Sequence, residues 1–317
     1  MNPFRWLSPA GSRGRLSIFI FHRVLAQADP LLPGEPDAER FDRIVGFVAR
    51  HFRVLPLAEA ASALAADRLP AAAACITFDD GYADNFTVAA PILRRHGATA
   101  TFFITSGFID GGRMWNDTVI DAVRAAPAGE LDLRDLDLGV HAVDDVASRL
   151  RTYRQLLGRL KYLDLALRLE RSDEIARRVQ LPRRSDLMMT RRQVVELRDA
   201  GMEIGAHTVS HPILSKLDAK AAAAEINDGR DQLAGWLGRP PEVFAYPNGV
   251  PNADYTERDV ILVRRAGFRC AVSTARGAAG RGADPFQLPR FTPWDRGHFR
   301  FGLRLAAKRL SATYARA

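Results

Sequence analysis

Along most of this 317-residue chain, apolar runs of strand length alternate with stretches of helical spacing, and glycine, proline or a capping residue marks each switch. Residues 16–21, 75–78, 99–104, 202–206, 243–245 and 269–273 read as strands. Between them 41–52, 57–66, 83–96, 219–237 and 256–266 read as helices, three of them closed by Gly97, Gly238 and Gly267. Thr190 and Gln193 form a capping box that opens a further helix ending at Gly201. Repeated βα units of this kind build a parallel sheet, either open and doubly wound or closed into a barrel. No Gly-x-Gly-x-x-Gly run follows the first strand, which argues against the dinucleotide-binding version.

Residues 115–189 break the alternation. Val146, Leu150, Tyr153, Leu157 and Leu160 recur there at helical spacing with arginines opposite, so the segment reads as a helical insertion. With 47% hydrophobic and 26% charged residues the chain can bury a sizeable core and is not disordered. Cys75 and Cys270 are too few for a disulfide framework and read as reduced core residues. The net charge of +8 suits an anionic surface without demanding one, and no nucleic-acid recognition motif accompanies it. The apolar run at 16–21 is shorter than the core of a signal peptide, and nothing approaches eighteen apolar residues, so a cytoplasmic protein is expected. The basic, amphipathic stretch 299–314 allows peripheral membrane association, or packing on the barrel.

Polar residues fall at one end of these strands. His22, the pair Asp79 and Asp80, His207 and Tyr246 each follow a predicted strand directly, the end where barrel enzymes carry their chemistry. His207 and His211 are four apart, so a helical turn after the strand would aim both imidazoles at one point. Two imidazoles and a carboxylate are an ordinary ligand set for a catalytic divalent metal. Alone, the histidine pair is equally compatible with surface or core histidines, and Asp-Asp-Gly-Tyr with a plain turn. Yet two adjacent carboxylates after a buried strand are costly unless a cation shares the load.

The run Thr77-Phe78-Asp79-Asp80-Gly81-Tyr82, followed by His207-Thr208-Val209-Ser210-His211-Pro212, resembles the first two signature motifs of the polysaccharide deacetylases, the NodB-homology or carbohydrate esterase family 4. The resemblance spans about residues 16–290 and implies a distorted (β/α) barrel, an α/β fold, with a divalent metal that is usually zinc. It implies Asp79 as general base and Asp80, His207 and His211 as metal ligands, in a hydrolase of linear amide C–N bonds. The implied metal polarises the acetyl carbonyl and acidifies its water, whose proton Asp79 takes. Phe244-Ala245-Tyr246-Pro247-Asn248-Gly249 resembles the third motif, whose tyrosine supplies a backbone N–H to the oxyanion.

Three features depart from the commonest family pattern. The arginine before the third motif's proline is absent, no Asp-x-x-Asp-Trp run is visible, and the late Leu-x-His motif is missing, His298 being the only histidine near the end. Phe21-His22-Arg23-Val24 resembles the Tyr-His-x-Val start of the exopolysaccharide branch, where a first-strand histidine stands in as general acid. A structural strand-end histidine is the alternative. Arg290 is the candidate replacement for the missing arginine beside Asp79, against a surface salt bridge. Trp115, Asn116, Asp117 and Trp294 read either as a sugar-stacking groove or as packing. His96, at a helix end, reads as a charge partner for that terminus.

The expected organisation is an extension over 1–15, a deacetylase barrel over 16–295 and a basic tail over 296–317. The expected function is metal-dependent removal of N-acetyl groups from an amino sugar of a polysaccharide or its lipid-linked precursor. A deformylase of a lipid-linked aminosugar and a non-catalytic carbohydrate-binding barrel are the alternatives. Asp79, for which a binding module has no use, argues against the last.

Overall fold

The computed structural model describes residues 3–182, 186–292 and 314–317. His298, Trp294 and all but the last residues of the basic tail lie outside the described residues. Contacts divide the chain into two units, one made of residues 1–27, 34–110 and 188–317, the other of 28–33 and 111–187.

The first unit opens with α1 (Pro3–Leu7) and β1 (Ser17–Phe21). Helix α2 (Ala38–His51) is capped by Asp37, whose side chain accepts from the Arg40 N–H. Then come β2 (Arg53–Val54), α3 (Leu57–Ala65), β3 (Ala73–Phe78), α4 (Ala90–Arg95) and β4 (Thr101–Ile104). A π-helical turn, Asn85–Ala89, precedes α4, so the helix expected over 83–96 is irregular in its first half. Pro91, at the start of α4, has no N–H for the regular ladder there.

The second unit holds α5 (Trp115–Ala125), β5 (Glu130–Leu133), β6 (Gly139–Ala142), α6 (Val146–Leu160) and α7 (Leu165–Arg178). The antiparallel pair β5 and β6 corrects the purely helical reading of this segment. Its strands are four residues each and alternate buried and exposed positions, a pattern too short to stand out beside the long helical periods. Within this unit the Trp115 ring lies under the Arg168 guanidinium, 5.0 Å from centroid to carbon, and Asp117 is buried.

The first unit resumes with α8 (Arg191–Asp199), opened by the Thr190 and Gln193 capping box, and β7 (Glu203–Ala206). It ends with α9 (Ala219–Leu237), β8 (Val243–Ala245), α10 (Glu257–Arg265), β9 (Cys270–Arg276) and β10 (Leu288–Arg290). The strands pair in the order β1-β3-β4-β7-β8-β9-β10, all parallel, with β2 beside the first residues of β3. Phe291, one residue past β10, bridges to Phe19 of β1: its N–H donates to Ile18 O at 2.7 Å and its carbonyl accepts from Ile20 N at 2.8 Å. The sheet is therefore a nearly closed seven-stranded parallel barrel. β1, β3 and β4 are buried along their whole length, as expected of strands covered on both faces. Among the described residues no helix is long and apolar enough to cross a membrane.

Candidate functional site

His22, Asp79, His207 and Tyr246 each stand one residue past a strand, where the ladder fixes the backbone, whereas Arg290 is the last residue of β10. The Asp79 N–H donates to Phe21 O, and the His207 N–H to Ile104 O. Asp80 turns the chain with φ 78°, and Gly81 follows at φ 95°, where a side-chain-free residue suits the left-handed turn. The Asp80 carbonyl then accepts from the Thr105 N–H beyond β4.

The geometry brings Asp80, His207 and His211 together. One ligand atom from each lies within 4.8 Å of the others. His207 Nε2 stands 3.4 Å and His211 Nε2 3.5 Å from Asp80 Oδ1, and that oxygen is buried with no hydrogen-bond partner. His207 Nδ1 meets Ala245 O at 2.7 Å, and since a carbonyl only accepts, Nδ1 carries the proton and Nε2 presents a lone pair. Burial pushes the His211 imidazole down to about 3, so it is neutral and also able to ligate. An orphaned buried carboxylate oxygen facing two imidazole nitrogens fits a divalent metal.

The approach of the two histidines is not the helical turn expected from their spacing. Residues 207–211 form a loop in which Thr208 (φ 65°) and His211 (φ 55°) are left-handed, and Pro212 disfavours a helical His211. Glu225 of α9 holds this loop, accepting from Val209 N at 3.0 Å, Ser210 N at 2.9 Å and Ser210 Oγ at 2.7 Å. Gly229, one turn further on, lets α9 approach: a Cβ there would sit 2.9 Å from the Thr208 carbonyl carbon. No sequence signal marks Glu225, since its partners are fifteen and sixteen residues away and join only through the fold.

Asp79 has different company. Arg290, almost fully buried, donates from Nη1 to Asp79 Oδ1 at 2.7 Å and from Nη2 to Oδ2 at 2.8 Å, while its Nε donates to Ser273 O at 2.9 Å. Burial raises the Asp79 pKa, but the Arg290 guanidinium outweighs it and holds the carboxyl below its ordinary value. Arg290 thus stands in a buried ion pair with Asp79 and not on the surface. The strand β10 that delivers it is three residues long and interrupted by Pro289, which hid it from a periodicity reading.

His22 follows β1. Burial pulls its imidazole down, but the charges of Asp80, then Asp79 and Glu35, outweigh it and raise its pKa. Its loop is held by the next turn of the Asp-Asp-Gly-Tyr run: Asn85 Nδ2 donates to His22 O at 2.8 Å, and Asp84 accepts from Val24 N and from the Arg23 guanidinium. Asp84 and Asn85 sit only three and four residues past Gly81, so their place near the site was within reach of the motif. Tyr246 departs from expectation. Its N–H donates to Val272 O at 3.2 Å because the β8–β9 ladder runs one residue further, and so it is already engaged. Its ring stacks on Tyr255 at 3.9 Å and its hydroxyl donates to Phe286 O. His96, expected to serve a helix end, pairs with Asp42 at 3.1 Å.

The sequence profile of the family described as Polysaccharide deacetylase matches residues 66–162 and 171–271, more than half of the chain. The chain belongs to the polysaccharide deacetylase family. It is 21% identical over 240 residues to the provisionally named polysaccharide deacetylase YxkH of Bacillus subtilis (strain 168), covering 75% of this chain but 58% of that protein. Two solved structures share the fold. The Streptococcus pyogenes deacetylase PplD, determined in complex with acetate, aligns with TM-score 0.63 and 19% identity over 92% of this chain and 98% of its own. IcaB from Ammonifex degensii aligns with TM-score 0.60 and 18% identity over 96% and 99%.

Proposed function

We propose that this family member is a metal-dependent hydrolase that removes N-acetyl groups from an amino sugar of a polysaccharide or of its lipid-linked precursor. One observation carries the reading: the unsatisfied Asp80 oxygen between two imidazoles lies one residue from a second buried carboxylate held by Arg290. Asp80, His207 and His211 would hold the metal, with zinc the ion proposed. Bound there, it supplies Lewis acidity toward the acetyl carbonyl and lowers the pKa of a water.

The remaining work falls to the chain. Asp79, ionised beside Arg290, takes the proton of the attacking water at a carboxylate oxygen whose second lone pair is left over from the ion pair. Arg290 orients that carboxylate by gripping both oxygens in one plane. His22, made more basic by the surrounding carboxylates, is the proposed acid that protonates the leaving amine nitrogen. A share of the oxyanion for the Tyr246 N–H requires its bond to Val272 to be shared or released.

The test is metal content and acetate release measured together on purified protein with N-acetylated chitooligosaccharides, with and without a chelator. Acetate release that the chelator abolishes is the expected result. Bound metal without release from any N-acetylated glycan overturns the deacetylase reading, and absence of metal overturns the site. Asp79→Asn is expected to keep the metal and lose turnover by about 10²-fold or more.

A further inference from the structure

The opposite end of the barrel is built differently. Arg15 lies two residues before β1 and His22 immediately after it, so roughly 20 Å of extended chain separates that end from the site. Near that end Arg13, Arg15 and Arg281 line an open cavity of about 430 Å³, to whose wall Tyr314 and Arg316 also contribute. A second cavity of about 430 Å³ shares Gly280, Arg281 and Ala283 with the first, but its wall is mainly apolar, formed by Ala61, Leu64, Pro285 and Leu288. One carboxylate, Asp67, meets Arg281 across the shared rim at 3.4 Å, so cationic charge predominates.

Trp6 belongs to the same end. It projects from α1 with 76% of its surface exposed, the largest exposure among the large hydrophobic residues described. Helix α1 is tied there by Ser8, whose hydroxyl donates to Arg15 O and accepts from Arg15 N, and whose carbonyl accepts from Ala72 N before β3. An exposed indole at the same end as an arginine-lined cavity and an apolar one is a combination a water-facing surface does not require. It matches the layers of a bilayer edge: phosphate, interfacial aromatic and acyl chain.

We infer that the amino end of the barrel docks on a membrane bearing anionic phospholipids. The arginine cavity takes a phosphodiester headgroup, the neighbouring apolar cavity takes the adjoining part of an acyl chain, and Trp6 sits at the interface. Docked so, the end that carries Asp79, Asp80 and His207 is turned away from the bilayer.

The experiment uses the full chain, co-sedimented with vesicles of phosphatidylcholine alone and of phosphatidylcholine mixed with phosphatidylglycerol. Binding is expected to the mixed vesicles only and to weaken as salt is added. The triple variant Arg13→Ala/Arg281→Ala/Arg316→Ala is expected to bind about a hundredfold more weakly, about fivefold for each charge removed. Trp6→Ala is expected to weaken binding and to remove the blue shift of tryptophan fluorescence on adding vesicles. Thermal unfolding and metal content of the variants, expected to be those of the parent, exclude loss of fold. Equal binding to both vesicle types overturns the inference, as does undiminished binding of the triple variant. Binding of inorganic phosphate without any binding to vesicles also overturns it, in favour of a soluble anion. None of these readouts depends on deacetylase activity.

Discussion

Asp79 and Asp80 are neighbours in the chain, equally buried at the end of β3, yet they stand in opposite electrostatic situations. Asp79 is complete within the protein: both oxygens are bonded to Arg290, whose Nε–H is spent on Ser273 O. Asp80 is incomplete, for its Oδ1 has two imidazole nitrogens before it at distances too long for a hydrogen bond, and no partner. A buried ion pair that loses one member leaves an uncompensated charge, so Asp79 and Arg290 are tied to folding. The Asp80 cluster contributes little without a further cation, so its members are tied to binding. The pair of aspartates thus separates what the fold needs from what the chemistry needs.

The largest expected effect breaks the second half of that contrast. His207→Ala removes one of three converging donors, and the protein is expected to lose bound metal and about 10³-fold or more in activity while unfolding near the parent's metal-free temperature. Metal analysis and calorimetry decide it, and full metal occupancy in the variant would contradict the ligand assignment. Next comes the first half. Arg290→Met leaves Asp79 buried without its partner, and the expected loss is about 3–5 kcal/mol of stability, with or without added metal, read from urea unfolding. If this variant were as stable as the parent and Asp80→Asn were not, the roles given to the two aspartates would be reversed.

The loop that carries the two histidines is one step removed from either charge cluster. Glu225→Gln keeps the shape of the side chain but turns a charged acceptor of three hydrogen bonds into a neutral one. A loss of about 1–3 kcal/mol is expected, with weaker metal binding if the loop sets the imidazoles. Unchanged metal affinity with reduced stability would assign Glu225 to the fold alone.

What the sequence disclosed about these parts follows from how far apart their partners lie. The alternation of periods pointed to the parallel sheet, and strand ends pointed to Asp79, Asp80 and His207, because a strand end is a local property, while His211 came from its spacing to His207. Arg290 was reachable as a residue although its three-residue strand, interrupted by proline, was not. The turn linking His207 to His211 was misread as helical because the left-handed Thr208 and His211 are stabilised by Glu225 from another helix. The β5 and β6 pair and the engaged Tyr246 N–H escaped for the same reason: both are settled by ladder partners elsewhere in the chain.

The smallest expected effect concerns pH, and it sets Asp79 against another carboxylate, the half-buried Glu203 of β7. Glu203 accepts from Leu57 N at 2.7 Å, Ala58 N at 3.1 Å and Thr101 Oγ1 at 2.6 Å, and no arginine faces it in these bonds. Burial therefore outweighs its hydrogen bonds and raises its pKa, whereas the Asp79 pKa is lowered. The signs follow from proton counting. Asp79 binds its proton less tightly when folded, so its contribution is fully present above the ordinary aspartate value of about 4 and is lost as pH falls through the lower folded value. Glu203 binds its proton more tightly when folded, so stability declines as pH rises from the ordinary glutamate value of about 4.3 through the higher folded one. Urea midpoints from neutral to acid pH for the parent, Asp79→Asn and Glu203→Gln test both. The parent's difference from Asp79→Asn should shift against the parent on acidification, and its difference from Glu203→Gln should shift in the parent's favour. Parallel profiles for the two variants would mean that Arg290 does not distinguish these carboxylates in solution, and the contrast drawn at the end of β3 would lose its electrostatic basis.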